Sequence, residues 1–201
     1  GLDTGIPVDV YVPGGAGRPE AIIDGVVQAL GILEARRAAM VASSTAAGVM
    51  MIQHATAADL PELLTVQKVA YASEAEIYGD TSLPAMRQSL AEMAADFSKM
   101  VFLKGVVNGK IVATIRGYSD GQGTAHILRL SVLPYFRGRG LGRRLIAAIE
   151  AEFPSVKRYE IFTGHRSATN IHIYAKQGYR RFKTEPFNAN IEWVYMEKKS
   201  S

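Results

Sequence analysis

Residues 130–144, LSVLPYFRGRGLGRR, are the part of the sequence best suited to hold a phosphate, since a strand pattern leads into a glycine-rich loop that opens a helix. The first turn of a helix leaves backbone N–H groups unpaired at the positive end of its dipole, so it can bind an anion. Glycines would let the anion approach the backbone, and the arginines around them favour bidentate phosphate contacts. These residues are Gly138, Gly140, Gly142, Arg137, Arg139, Arg143 and Arg144.

Other phosphate-binding motifs fit this segment less well. A P-loop needs Lys and then Ser or Thr after its last glycine, whereas Gly142 is followed by two arginines. A dinucleotide fingerprint needs G-x-G-x-x-G, whereas the spacing here is G-x-G-x-G, although Glu160 lies about 20 residues downstream and keeps this alternative open. A nucleic-acid contact is a further alternative, but no aromatic platform or helix-turn-helix pattern accompanies the loop.

A second motif, NIHIYAKQGYRRF at residues 170–182, places a tyrosine where it could give up a proton. Asn170 and Tyr174 are four residues apart and share one face of a predicted helix. A tyrosine, with a reference pKa of about 10, is a plausible proton donor to a thiolate, whose thiol has a pKa of roughly 8.5. Without its flanking motif, Tyr174 would be typical of a half-buried structural aromatic.

The two motifs, in this order, resemble the GNAT superfamily of acyl-CoA-dependent N-acyltransferases. That family's loop, Arg/Gln-x-x-Gly-x-Gly/Ala, is matched by Arg137, Gly140 and Gly142. Its second element, a helical Tyr followed by Lys-x-Gly-Phe/Tyr, is matched by Asn170, Tyr174, Lys176, Gly178 and Tyr179. The resemblance covers about residues 49–198 and leaves residues 1–48 unmatched.

The resemblance implies acetyl-CoA as cosubstrate, with the pyrophosphate on the loop amides and the pantetheine arm along the strand edge. It assigns the oxyanion-stabilising N–H to Val132 and the proton donor to Tyr174. The residues it implies for cofactor binding are Leu130, Ser131, Val132, Arg137, Gly138, Arg139, Gly140, Leu141, Gly142, Arg143, Asn170 and Tyr174.

The group that accepts the amine's proton is poorly marked. An amine similar to Lys has a reference pKa of about 10.4, so a base or a water chain is needed at neutral pH. We place Glu74 and Glu76 in the connection after the first helix and name them as catalytic candidates, because acidic and aromatic residues cluster there and suit a cationic amine. His126 on a strand and His165 in a turn are further candidates, although structural roles are more typical of both.

Hydrophobic periodicity and turn residues predict the elements that position these groups. Asn108 and Gly109 form a strong hairpin signal between two strands. The pattern predicts an α/β (α+β) fold with a largely antiparallel start, and the resemblance implies a GNAT-like mixed, mostly antiparallel central sheet flanked by helices. Predicted strands are 49–53, 101–107, 110–118, 125–132, 158–163, 180–185 and 191–196; predicted helices are 59–72, 83–98, 140–153 and 167–177.

Residues 1–48 differ from the rest and are predicted to be a helical N-terminal extension. Residues 1–19 are rich in Gly and Pro, which predicts an extended arm. Residues 20–42 show helical spacing, and residues 43–48 resemble a linker. We therefore divide the chain into an extension, 1–48, and an acetyltransferase domain, 49–201. The extension is expected to be dispensable for CoA binding.

The composition excludes several kinds of functional site. The chain has 201 residues and no Cys, which excludes disulfides, thiolate metal sites and a cysteine nucleophile. Residues 1–100 hold 6 Lys and Arg against 12 Asp and Glu, whereas residues 101–201 hold 17 against 7. The basic second half suits a polyanionic cofactor, although a solvated basic surface would also explain it.

The sequence thus predicts a cytoplasmic N-acetyltransferase that moves an acetyl group to a primary amine of a small molecule or peptide by direct attack in a ternary complex. No metal, nucleic-acid or membrane partner is expected, and a homodimer is compatible with the sequence. A non-catalytic acyl-CoA-binding regulatory module is the alternative.

Overall fold

The computed structural model describes residues 49–200, so the predicted arm and helix of residues 1–48 lie outside the described part. Seven strands and five α-helices follow one another in this range. They are β1 (Met51–His54), α1 (Leu60–Tyr78), α2 (Pro84–Arg87), α3 (Leu90–Phe97), β2 (Val101–Val107), β3 (Lys110–Ser119), β4 (Thr124–Val132), α4 (Leu141–Ala151), β5 (Arg158–Gly164), α5 (Ala168–Lys176), β6 (Arg180–Pro186) and β7 (Glu192–Lys199).

The strands form one sheet in the order β1-β2-β3-β4-β5-β7-β6. Only the β4–β5 pair is parallel, and the other neighbours are antiparallel. The mixed, mostly antiparallel sheet expected from the sequence is confirmed. The predicted hairpin is also present, because Asn108 and Gly109 adopt the positive φ values, 49° and 74°, that its tight turn requires.

Helices cover both faces of the sheet. Side chains alternate along β3, so Arg116 and Gly117 point to opposite faces. The Arg116 side chain contacts Gln88 and Asp96 beside α2 and α3, whereas a Cβ on Gly117 would meet Ile149 and Phe153 of the α4 region. The first face carries a buried core of Leu60, Leu63, Val66, Met93, Phe102, Val106 and Ile111, and α4 buries Leu145, Ile146 and Ile149.

The first helix is longer than predicted. It continues to Tyr78 because no Gly or Pro interrupts residues 73–78, and it ends at Gly79, whose φ of 59° closes the helix in the left-handed conformation. Glu74 and Glu76 are therefore helical residues, and the prediction that they lie in a connection is wrong.

The predicted helix over residues 83–98 is broken into α2 and α3. The break lies at Gln88 and Ser89, which have extended ψ values, and Ser89 starts α3 with a capping box to Glu92. The Ser-x-x-Glu pattern is a sequence signal for this helix start that the apolar spacing obscured. The buried Gln88 side chain accepts hydrogen bonds from Gln67 and Arg116 and donates to Asp96, which ties the break to α1 and β3.

Candidate active site

The loop between β4 and α4 has the backbone geometry of an anion site. Gly138 and Gly140 adopt left-handed φ values of 73° and 74°, and a Cβ on either would meet no atom within 4 Å. Gly140 is the N-cap of α4, and the helix's backbone bonding starts with Arg144 N–H donating to Gly140 O. The amides of Leu141, Gly142 and Arg143 precede that first bond, so they are available at the positive end of the helix dipole.

The arginines of this loop do not all surround the glycines as expected. Arg137 donates to Val132 O, to Ser73 Oγ and to Ala70 O, at 3.1, 2.9 and 2.8 Å, so its guanidinium ties the loop to β4 and α1. The Arg144 guanidinium donates to Met50 O at 2.7 Å. Arg139, whose guanidinium lies over the Phe136 ring, and Arg143, in the first turn of α4, are exposed, so both can face an anion.

A gap opens beside the second half of β4. The parallel pairing of β4 with β5 ends at Ile127 and Ile161. Ala113 and Val132 are opposite each other in the β3–β4 pair, and Leu133 N–H donates to Val112 O. This register makes them a non-hydrogen-bonded pair, so the Val132 N–H points away from β3 and toward the gap. Leu130, Ser131 and Val132 lie along this part of β4.

A bulge in β4 lies at the start of the gap. Thr114 is opposite Ser131 and Arg116 is opposite Leu128, so β4 has one residue more than β3 between these pairs. Arg129 lies in the bulge with a φ of 56°. The bulge could not be predicted from the sequence, because an arginine in left-handed conformation carries no glycine-like signal.

A pocket lies next to the gap and collects residues from distant parts of the chain. α1, β4, β5, α5 and β7 all contribute to its wall. The lining residues are Tyr71, Glu74, Tyr78, Leu83, Arg129, Leu130, Ile161, Phe162, Thr163, Gly164, Asn170, Tyr174 and Trp193. The predicted residues Glu74, Leu130, Asn170 and Tyr174 are thereby brought together.

Glu74 is held in this pocket by hydrogen bonds from the start of α5. One carboxylate oxygen accepts from Ser167 Oγ, and the other accepts from Asn170 Nδ2 at 3.2 Å. Asn170 Nδ2 also lies 3.3 Å from Thr163 Oγ1 on β5. Asn170 therefore positions the carboxylate between α1 and the end of β5.

Tyr78 and Gly164 complete this network. The Tyr78 hydroxyl accepts from Arg166 N–H at 2.7 Å and lies 3.3 Å from Ser167 Oγ. Because Ser167 donates to Glu74, the Tyr78 hydroxyl must be the donor toward Ser167. A Cβ on Gly164 would lie 2.2 Å from the Tyr78 hydroxyl, so only glycine leaves room for this contact.

Tyr174 lines the pocket with only 4% of its surface exposed. Burial raises the pKa of its hydroxyl above the ordinary value, and the negative charges that Tyr71 and Glu74 can carry add to the effect. The phenol is therefore neutral throughout the neutral pH range. It keeps a proton available inside the pocket.

Tyr179, which belongs to the same motif, has a structural role. Its hydroxyl donates to Glu150 Oε1 at 2.7 Å, and Lys198 Nζ donates to Glu150 Oε2 at 2.6 Å. Burial and the hydrogen bond to Glu150 raise the pKa of Tyr179. These contacts join α4 to β6 and β7 outside the pocket.

The remaining base candidates lie away from Tyr174. Glu76 is exposed and is not among the pocket residues, although it is only two positions from Glu74. His126 stacks on Tyr118 and lies 3.5 Å from Glu160 near the start of β4. His165 Nδ1 accepts from Glu192 N–H at 3.1 Å, which is the turn role that the sequence favoured.

Over residues 49–200, no three His, Asp or Glu side chains are grouped as a metal site would require. In the same range, no helix combines the length and apolar character needed to cross a bilayer.

Comparison with known proteins agrees with the fold. The family model described as "Acetyltransferase (GNAT) domain" matches residues 68–200. The curated UPF0157 protein YqkA of Bacillus subtilis (strain 168) is 26% identical over 133 residues, which are 66% of this chain. The chain spans only 38% of the length of that relative.

Solved structures of several acetyltransferases share the fold at low sequence identity. The ribosomal-protein-S18-alanine N-acetyltransferase of Escherichia coli is 17% identical, with a TM-score of 0.63 over 76% of this chain and 95% of its own. The PaiA N-acetyltransferase of Thermoplasma acidophilum, in complex with coenzyme A, is 17% identical, with a TM-score of 0.62 over 75% and 99%. YncA of Salmonella typhimurium, a structure with acetyl-CoA, is 18% identical, with a TM-score of 0.59 over 76% and 95%.

Proposed function

The chain belongs to the GNAT acetyltransferase family, and from that premise we propose that it transfers an acetyl group from acetyl-CoA to a primary amine of a small molecule or peptide. The observation that carries the proposal is the position of the pocket, which holds Glu74 and Tyr174 directly beside the gap along β4. A cofactor-binding edge and two groups able to move protons thus meet at one place.

The β4–α4 loop fits a pyrophosphate. Gly138 and Gly140 leave open space where any Cβ would project, and the amides of Leu141 to Arg143 lie at the start of a helix. Arg139 and Arg143 add positive charge, whereas Arg137 acts through its contacts with α1 and β4. We propose that backbone amides bind the phosphates and that Arg139 and Arg143 strengthen the binding.

Bound acetyl-CoA supplies the acetyl group as a thioester. The Val132 N–H, directed into the gap, is placed to donate to the carbonyl oxygen on which negative charge develops. Tyr174 gives its hydroxyl proton to the leaving sulfur. The sequence has no Cys to carry an acyl group, so the proposed mechanism is direct attack by the amine in a ternary complex.

Glu74 is the proposed acceptor of the amine's proton. The hydrogen bonds from Ser167 and Asn170 fix its carboxylate in the pocket wall, and Tyr71, Tyr78 and Trp193 surround the same space with aromatic rings. A carboxylate among aromatic side chains attracts an ammonium and can accept its proton directly or through one water.

The test is the release of free CoA from acetyl-CoA with a panel of primary amines, together with mass detection of the acetylated amine. Equal amounts of free CoA and product support the proposal. The alternative, a regulatory acyl-CoA-binding module, predicts that acetyl-CoA raises the melting temperature while no amine in the panel is acetylated.

We also propose that the acetyltransferase domain consists of residues 49–201 and that residues 1–48 are an extension outside the cofactor site. All residues assigned above lie after position 48. A chain shortened to begin at Met50 should keep the rise in melting temperature that CoA produces, whereas a soluble, monodisperse short chain that no longer binds CoA would move the boundary toward the N-terminus.

A further inference from the structure

Arg129 occupies a backbone conformation that is costly for its residue type. Its φ of 56° lies in the left-handed region, where residues other than glycine are uncommon and strained. Gly or Asn would adopt this left-handed conformation with less backbone strain. Arg129 lines the pocket, and the presence of a long cationic side chain at this strained position indicates a function there.

The contacts of Arg129 leave its charge uncompensated. Burial raises the pKa of the Tyr71 hydroxyl, and the nearby positive charge of Arg129 opposes that rise. Across residues 49–200, no carboxylate oxygen lies within 4.0 Å of the Arg129 guanidinium, and the pocket carboxylate, Glu74, is bound by Ser167 and Asn170. Two opposite charges thus line one pocket without forming an ion pair with each other.

A second arginine, Arg116, lies close enough to Arg129 for their positive charges to repel each other. The Arg116 side chain is only 4% exposed, and its Nε and one terminal nitrogen have no hydrogen-bond partner. Its other terminal nitrogen donates to Gln88 Oε1. The terminal nitrogen without a hydrogen bond lies 3.4 Å from Asp96 Oδ2 and forms an ion pair with it. Burial lowers the pKa of Arg116 to about 10, and repulsion by Arg129 contributes. An anion in the pocket would relieve this repulsion.

We propose that Arg129 is a specificity-determining residue and that the acceptor is an amine carrying a carboxylate a few bonds from its nitrogen, as in a free amino acid. This inference rests on the proposed acetyltransferase function. The amine faces Glu74, and the carboxylate accepts charge-assisted hydrogen bonds from Arg129. A polyamine or a lysine-like acceptor without an anionic group would leave the Arg129 charge unpaired.

The reaction balances with these groups. The neutral amine nitrogen forms a bond to the acetyl carbon as the bond from that carbon to sulfur breaks, and the sulfur takes the Tyr174 proton. Glu74 accepts the proton that the ammonium loses before the attack, and the nitrogen releases its second proton to solvent after its bond to the acetyl carbon has formed. Solvent then takes the proton from Glu74 and returns one to Tyr174. The acceptor carboxylate is unchanged, so Arg129 acts on binding and orientation alone.

The experiment compares amino acids with their carboxamides on the full-length protein and on Arg129→Asn, since Asn tolerates the left-handed conformation. We expect the unchanged protein to prefer the amino acid in kcat/KM by about tenfold or more, the usual range for a hydrogen bond to a charged group. In Arg129→Asn, this preference should fall to about one, because kcat/KM for the amino acid should drop much more than kcat/KM for the carboxamide. Arg129→Lys should restore part of it.

A further comparison tests where the acceptor carboxylate can lie. The C-terminally amidated dipeptides Gly-Asp and Gly-Asn test whether the carboxylate can come from a peptide side chain. A preference for Gly-Asp amide that depends on Arg129 also supports the proposal. Equal kcat/KM for acids and amides, or an equal loss for both in Arg129→Asn, would overturn it.

Binding separates this proposal from the proposed function. If no amine is acetylated, the proposed function fails, and thermal shifts with N-acetylated amino acids and their carboxamides then test Arg129 alone. A larger shift with the acid that is lost in Arg129→Asn supports the anion site, whereas equal shifts refute it. A preserved CoA-dependent shift shows that Arg129→Asn is folded.

Discussion

The cofactor loop at residues 137–144 and the acceptor pocket are built in different ways. The loop is one continuous segment, and the groups that we propose to bind the cofactor are backbone amides next to Gly138 and Gly140. The pocket is assembled from side chains that are far apart in sequence, as the bonds from Ser167 and Asn170 to Glu74 span 93 and 96 positions. The first region depends on local conformation and the second on the packing of the whole sheet.

Because of this difference, changes in the loop should affect cofactor binding, whereas changes in the pocket should affect the reaction. A change in the loop should act on the approach of an anion to the backbone, since all of its residues except Leu141 and Gly142 are exposed. A change in the pocket acts on proton transfer and, because residues such as Tyr174 are buried, on stability as well. Variants in the two regions should therefore fall into distinct classes, which the following predictions test.

The largest effect is expected from Tyr174→Phe. Removing the hydroxyl should lower kcat by about 10²–10³-fold, because the departing sulfur loses its proton donor. The rise in melting temperature with CoA should be unchanged. Steady-state kinetics and thermal shift measure the two quantities.

Tyr179→Phe is the matched control for Tyr174→Phe. Tyr179 is also buried, and its ring centroid lies 6.3 Å from that of Tyr174, but its hydroxyl donates to Glu150. It should lower the melting temperature and leave kcat nearly unchanged. Similar kcat values for both variants, with chemistry shown to limit the rate, would remove Tyr174 from the mechanism.

Glu74→Gln should lower kcat/KM by about 10²-fold, since Gln cannot accept the amine's proton. The loss should shrink for acceptors whose amine pKa lies near or below the assay pH, because such amines are already neutral. A merely structural role would give the same loss for all acceptors. Glu76→Gln, the same change on an exposed residue outside the pocket, should leave kcat/KM unchanged and would contradict the assignment if it did not.

Gly140→Val should weaken CoA binding by about tenfold or more, because a branched side chain would fill the space in front of the loop amides. Gly121→Val is its control, since Gly121 has nearly the same φ, 73° against 74°, and equally open surroundings. Both variants should lose similar stability from backbone strain. The loop assignment fails if they bind CoA equally well.

The smallest effect on the cofactor is expected from Arg137→Gln. Its guanidinium is engaged by Val132, Ser73 and Ala70, so the change should lower the melting temperature but alter CoA affinity by about threefold or less. Arg139→Gln, on an exposed residue of the same loop, should weaken CoA binding more than Arg137→Gln does and should leave the melting temperature nearly unchanged. Titration of both variants with CoA decides whether Arg137 positions the loop or binds phosphate.

Much of the fold could be predicted from the sequence because its signals are local. Alternating apolar residues placed the strands to within a few residues, and the Asn108–Gly109 pair placed a hairpin whose turn needs positive φ. The glycine loop was also visible, since a helix start and glycine spacing are properties of adjacent residues. Local conformation requires no knowledge of what packs against it.

The sequence by itself thus determined the sheet, the loop and the motif that contains Tyr174. Only the tertiary structure decided between Glu74 and Glu76, turned the Arg137 guanidinium toward α1, and placed Arg129 in a bulge facing the pocket. Neighbouring residues of one type look alike in sequence, and what distinguishes them is the direction of the side chain and its partners. Those partners lie far along the chain, so they are defined only when the helices pack on the sheet.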